Sequence, residues 1–203
     1  MIRVAAALLL WAACSSPSHK PALENAPTMP TSTWTIKSGA VGPLVLGEGV
    51  PASMHDHLER TYVGKMIADG VAIDGFELAE PAILVAFADG PFAKHDLDGT
   101  PVPPLDKLRA EAAAAVRAKH PVTRLFVRGA GPRTERGVGV GSDLAALRAA
   151  YRDLRVNAQP ATMGEDRCAA HTKELPDVGF IFASCDAADA GGKVLRVDLW
   201  MPE

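Results

Sequence analysis

The stretch Gly137-Val138-Gly139-Val140-Gly141-Ser142-Asp143-Leu144, running on to Tyr151, constrains the fold most. Three alternate glycines followed by Leu144, Leu147, Tyr151 and Leu154 predict a short strand, a tight turn and an amphipathic helix over about 143–154. Ser142 or Asp143 can cap the amino end of that helix. A weaker copy, Val41-Gly42-Pro43-Leu44-Val45-Leu46-Gly47 with Leu58 and Tyr62, stands near the start of the body. In both copies a Leu lies four residues before a Tyr, which places the pair on one face of a helix. The expected fold is α+β: a single domain of two strand–turn–helix–strands repeats, with mainly antiparallel sheet.

The intervening segments fill in that plan. Trp34–Lys37 and Leu44–Leu46 read as strands, and Pro51–Tyr62 as a helix with Met54, Leu58 and Tyr62 on one stripe. Gly70 and Gly75 mark a turn-rich connection, followed by strands at Phe76–Leu78 and Ile83–Phe87. Pro104 opens a helix over about 104–119, with Leu105, Leu108, Ala112 and Val116 as its apolar stripe and Pro121 beyond its end. Leu125–Val127 returns to strand. Arg167–Thr172 and Val178–Ser184 flank the turn-like Glu174-Leu175-Pro176-Asp177 as a hairpin, and 194–200 forms the closing strand.

Ahead of the body, Arg3 and the apolar run Val4–Ala13 follow the order of a secretory signal and are too short to span a bilayer. Trp11-Ala12-Ala13-Cys14 resembles the lipobox of bacterial lipoproteins, with Trp11 where that family usually has Leu. The resemblance implies a leader at 1–13 and a lipid-modified Cys14; the competing reading is an ordinary cleaved signal with a free Cys beside it. Residues 14–33, rich in Pro and Ser and poor in apolar side chains, suit an extended tether ahead of a globular 34–203. Ser15 after the cysteine, by analogy with enterobacterial sorting, points to the outer membrane and its periplasmic face.

Cys14, Cys168 and Cys185 are the three cysteines, so lipidation of the first leaves an even pair. In an oxidising compartment 168 and 185 can bridge, since each reaches the 174–177 turn after a similar number of residues. Two buried free thiols are the other possibility. The formal net charge is −3, and −4 once Arg3 leaves with the leader, which gives no field to attract nucleic acid.

The body is similar to the RpoE-regulated lipoproteins of Gram-negative envelopes, a family built on a domain of unknown function. The likeness is carried by Gly39, Val41-Gly42-Pro43-Leu44, Leu58, Tyr62, Leu125-Phe126-Val127, Thr134 and Gly137–Gly141, then by Leu144, Tyr151, Cys168, Phe180, Phe182, Val194 and Trp200. It covers most of 34–201, and the 104–119 helix stands as an insertion relative to the family pattern. The resemblance implies a periplasm-facing lipoprotein linked to envelope stress, and it implies no catalytic residues.

Residues able to carry chemistry were weighed against plainer roles. The Gly137–Gly141 loop before a helix can hold an anion, but the spacing is that of neither GxGxxG nor a P-loop. His55-Asp56-His57 offers two imidazoles without a third ligand placed by sequence. Asp96-Leu97-Asp98-Gly99 begins like a calcium loop and lacks its later ligands. Ser142, Ser184 and the cysteines, with His95, His120 or His171, are nucleophile and base candidates with no framing signature. Tyr62 and Tyr151 read as ligand-facing rings or, at that spacing to Leu, as core. No catalytic residue, metal or cofactor is assigned. The expected role is an interaction or scaffold lipoprotein held to the membrane by its lipid, with an envelope protein as partner. The alternative is a periplasmic ligand binder or enzyme with a cleft between the repeats.

Overall fold

A computed structural model describes residues 34–55, 62–68, 71–79, 82–87, 101, 103–159 and 167–201. Twelve strands form two sheets: β1 (Thr35–Lys37), β2 (Ala40–Val41), β3 (Leu44–Val45), β4 (Tyr62–Ala68), β5 (Val71–Leu78), β6 (Ile83–Phe87), β7 (Val122–Val127), β8 (Arg133–Thr134), β9 (Arg155–Gln159), β10 (Arg167–Thr172), β11 (Leu175–Phe182) and β12 (Arg196–Trp200). Among the described residues three α-helices can be bounded: α1 (Leu105–Arg117), α2 (Leu144–Ala150) and α3 (Cys185–Asp189). The large sheet runs β4-β5-β6-β7-β12-β11-β10-β9 and the small one β3-β2-β1-β8. Every pairing in the large sheet is antiparallel, and β1 with β8 is parallel. The body is one α+β domain, richer in sheet than in helix.

The large sheet has two dissimilar faces, because side chains alternate along each strand. On the inner face stand Leu78, Ile83, Val127, Val197, Phe180 and Ala170, neighbours across successive strands and all buried. They belong to one continuous core that also takes Leu108, Ala112 and Val116 of α1, Leu144 and Leu147 of α2, and Ala188 of α3. Ile36, Val41 and Leu44 of the small sheet close the same core. All three helices and the small sheet therefore spend their apolar side chains on the inner face.

Several expectations need correction. Of the helix expected over 51–62, the described residues hold a 3₁₀ turn at Ala52–Met54 that leads into helical His55, 56–61 lie outside the described residues, and Tyr62 opens β4 instead of ending the helix. Leu58 lies outside the described residues; so do Cys14, Asp56, His57, His95 and Asp96–Gly99. The helical spacing of Met54, Leu58 and Tyr62 gives way to ladder pairing along 62–68, where Val63 and Ile67 favour strand. Gly75 sits inside β5, not in a turn, and pairs with Ala86. Leu105 on α1 is 51% exposed rather than part of the stripe; Ala113 is buried in addition to Leu108, Ala112 and Val116.

The glycine stretch is turn rather than strand, with its strand displaced to β8. Gly137 and Gly141 adopt φ of +78° and +85°, and a Cβ on Gly139 would stand 2.7 Å from the Pro132 carbonyl oxygen. Those backbones cannot continue a ladder, and side chains there would strain or clash. Helix α2 stops at Ala150, four residues short of Leu154, with Tyr151 as its extended carboxyl cap. The closing strand starts at Arg196; Val194 is tied to the Gly141–Ser142 turn by two backbone hydrogen bonds of 2.8 Å.

Candidate functional site

The outer face of the large sheet gathers charged and aromatic side chains. One row crosses seven strands: Arg155, His171, Gly179, Asp198, Phe126, Leu84 and Glu77. On one side of it lie Asn157, Ala169, Ile181 and Arg196, and on the other Trp200, Arg124, Ala86 and Gly75. Leu84, Ala86, Phe126, Ala169 and Ile181 are buried and yet stand outside the core cluster. They form a second, thinner apolar layer roofed in part by longer side chains of their own face.

That roof is built by contact and charge. The Arg196 guanidinium lies over the Phe126 ring, 5.1 Å from its centre, which joins cation–π attraction to apolar cover. The same guanidinium grips Asp198 with both prongs, through Nε to Oδ1 and through Nη2 to Oδ2 at 2.6 Å. The His171 ring meets Trp200 edge-on, centres 5.7 Å apart. Both rings close over Gly179, where an added Cβ would lie 3.1 Å from His171 and 3.2 Å from Trp200. At the margin Arg128 pairs with Glu77 at 3.4 Å.

Asp198 is the electrostatic centre. Its side chain is 15% exposed and that of Arg196 25%. Burial raises its pKa above the ordinary carboxylate value, while Arg196, Arg167 and Arg124 pull it down. Arg124 and Arg167 hold further contacts of their own. A half-buried ion pair repays its desolvation poorly compared with apolar side chains of similar size. Three arginines around one carboxylate are therefore an expensive way to finish a sheet, and such clusters point to binding or chemistry.

The residues singled out from sequence fall elsewhere. Cys168 and Cys185 form a disulfide with Cα atoms 4.9 Å apart. It does not cross the hairpin, because the residue facing Cys168 on β11 is Phe182; the bridge fastens the first residue of α3 to β10. Ser142 Oγ accepts from the Gly139 N–H and from Arg133, each at 3.1 Å, and the Asp143 carboxylate accepts from Ala146 N–H at 2.8 Å while pairing with Lys193 at 2.9 Å. The turn and helix end thus carry their own carboxylate. Ser184 Oγ caps α3 by accepting from Ala187 N–H at 3.0 Å, and His55 Nε2 lies 3.0 Å from the Val50 carbonyl. Tyr151 is buried against Phe180, centres 6.2 Å apart, with Arg136 over its ring and Arg136 held to Glu174 at 2.6 Å. Burial raises the Tyr151 pKa, so it acts as a core ring.

A shallow depression of about 290 Å³ lies beside the end of β11, lined by Ser38, Gly39, Leu46, Pro176, Asp177 and Met201. Its carboxylate, Asp177, accepts from Ser38 Oγ and from the Gly39 N–H, which pins the β1–β2 turn. Among the described residues no group of three or more His, Cys, Asp or Glu gathers as a metal site, and no helix is long and apolar enough to cross a membrane.

Sequence reading missed the outer face for a physical reason. Its members are scattered over 77–200 in seven strands, and only the register brings Asp198 beside Phe126 and Gly179. The alternation Arg196, Asp198, Trp200 against Val197 and Leu199 was the local signal available. No family model and no curated protein matches the chain. Its fold is similar to that in the crystal structure of the uncharacterized protein YfeY from Escherichia coli, with a TM-score of 0.48 and 15% identity over 82% of this chain and 98% of that one.

Proposed function

We propose that this chain is a lipid-anchored lipoprotein on the periplasmic face of a Gram-negative outer membrane, and that its body is a non-catalytic interaction protein linked to envelope stress. The lipobox resemblance at Trp11–Cys14, the Pro/Ser-rich 15–33 segment and the family likeness of the body support the anchor and the setting. The observation that carries the interaction reading is the Asp198–Arg196 cluster, roofing a thin apolar layer with Phe126 and Trp200 on a face whose buried residues stand outside the core formed with the described helices and the small sheet. Arg, Trp and Phe in that combination are the side chains that dominate contact surfaces.

The large sheet has two halves of like order, which differ from the strand–turn–helix–strands repeats expected around Val41–Tyr62 and Gly137–Tyr151. Each runs through a three-strand meander, a helix and a fourth strand: β4-β5-β6, α1, β7 and then β9-β10-β11, α3, β12. The fourth strands meet at the centre, so Asp198 on β12 and Phe126 on β7 stand where the halves join. The shallow depression itself offers little to the ligand-binder or enzyme alternative, since it lies at a strand end and its Asp177 is already bonded.

The test is made in living cells. A photoreactive amino acid at Asn157, exposed on the outer face, is compared with one at Ala149, exposed on α2. Adducts confined to Asn157 agree with the proposal, and adducts equal at both sites, or only at Ala149, contradict it. Cys14→Ala is expected to move the body from membranes to the periplasmic fraction; membrane association that survives a high-salt wash would refute the anchor.

A further inference from the structure

We propose that the β9 edge of the large sheet pairs with the β9 edge of a second copy of this chain, antiparallel about a two-fold axis through Asn157. The surface is the edge of the sheet rather than its outer face, and either reading can stand without the other.

The large sheet ends in two edge strands, and they are built differently. At one end β4 is irregular: its register with β5 shifts between Val63 and Met66, and its sequence there is Gly64-Lys65. A bulge and a lysine are two of the devices that keep an edge from pairing with another chain. At the other end β9 has neither. It runs in unbroken register with β10 from Arg155 opposite His171 to Gln159 opposite Arg167, with no proline and no shift. Among the described residues no strand pairs with β9 on the side away from β10. A regular strand in that position offers a row of backbone N–H and C=O groups that an added strand satisfies.

The residues of β9 say which strand fits. In a regular antiparallel pair, groups that point outward must meet groups that point outward, so two identical strands related by a two-fold can register only about a residue. The register about Asn157 is the one that overlaps all five residues of β9. It sets Arg155 opposite Gln159, Val156 opposite Ala158, and Asn157 opposite itself. No charge meets a like charge. Val156, which packs against the core, and the exposed Ala158 share the inner side with Ala170 and Cys168, so the pairing places apolar against apolar there. On the outer side the two Asn157 amides meet, each able to donate and to accept. The same patch is thus complementary to itself, which is what a closed two-fold dimer requires.

The test uses the full chain in neutral detergent, with sedimentation across a range of concentrations and a register-specific crosslink. Asn157→Cys is expected to bridge two copies on mild oxidation, because facing Cα atoms lie about 4.5–5.5 Å apart, within disulfide reach. Arg155→Cys is expected not to, because its copies would stand about 13 Å apart along the strands. The parent chain sets the background from Cys14. Asn157→Lys and Asn157→Glu, at an exposed position, are each expected to weaken self-association about tenfold without lowering the melting temperature, and mixing the two is expected to restore it. A chain that stays monomeric with no bridge above background overturns the proposal and leaves the outer-face reading untouched. Equal bridging by Arg155→Cys, or association unchanged by both charge variants, also overturns it. In cells an Asn157 adduct at twice the chain's own mass reports this edge, and adducts to other proteins report the outer face.

Discussion

The two faces of the large sheet are made from the same strands and follow opposite rules. On the inner face Val197, Leu199, Leu125, Phe180 and Val85 are buried in one apolar core, to which the three described helices and the second sheet contribute. One residue away along each strand, Asp198, Trp200, Arg124, Gly179 and Leu84 make a layer in which charge lies over a little apolar surface. The inner face alone can hold the fold. The outer face adds cost in desolvated charge, which a sheet needing only stability avoids. The comparison assigns stability to the inner face, and recognition at the outer face is the role proposed for its charge.

The sharpest way to break it is truncation inside. Phe180→Ala removes a fully buried ring at the centre of the inner face and is expected to cost about 3–5 kcal/mol, measured by urea unfolding. A loss below about 1 kcal/mol would show that the inner face is not the main source of stability.

The disulfide comes next. Helix α3 has five residues and buries only Ala188 among them, whereas α1 has thirteen and buries four. A helix as short as α3 cannot hold its place by packing, and the Cys168–Cys185 bridge, with a sequence separation of 17, does so instead. Replacing both cysteines by Ala is expected to cost about 2–4 kcal/mol. The drop in melting temperature measures it, and an unchanged value would show that the bridge is dispensable.

Acid separates the carboxylates by direction rather than size. Asp143 is held below its usual pKa by the Ala146 N–H and then by Lys193; Asp153 is lowered by the Thr172 hydroxyl and the Lys173 N–H. Groups lowered by folding contribute stability above their unfolded value, near 3.8, and lose it as pH falls through the folded value. Asp198 runs the other way: its raised pKa favours the fold below the unfolded value, and that contribution is lost as pH rises through the folded value. Carboxyl NMR titrations should place Asp143 and Asp153 below 3.8 and Asp198 above it. Asp198 titrating with the other two would remove the electrostatic contrast between the cluster and the ordinary surface.

Much of the inner face was legible in the sequence. Ile83–Phe87 was bounded correctly by its apolar run and the Asp89-Gly90 that follows it. The α1 stripe at Leu108, Ala112 and Val116 followed from its spacing, and Asp143 caps α2 as its position before an apolar run predicts. What failed was local period against tertiary pairing. Tyr62 fits a helix by spacing to Leu58, yet the ladder of Tyr62 with Phe76 took it into β4. Gly137–Gly141 alternates like a strand, yet its positive φ angles make it a turn. The cysteine pair was legible by count, whereas its strand-to-helix geometry depended on where β11 ends. The outer face was hard to see because its members come from seven strands, and which strands lie side by side in the sheet is set by tertiary pairing.

The most direct measurement replaces the charge cluster by apolar side chains suited to a strand, Arg196→Val with Asp198→Val. If the cluster serves recognition, the double variant keeps its stability or gains up to about 1–4 kcal/mol in urea unfolding and loses the adducts to other proteins formed at Asn157 in cells. A loss of stability as large as that of Phe180→Ala, or such adducts at Asn157 that survive intact, would contradict the division of labour between the two faces.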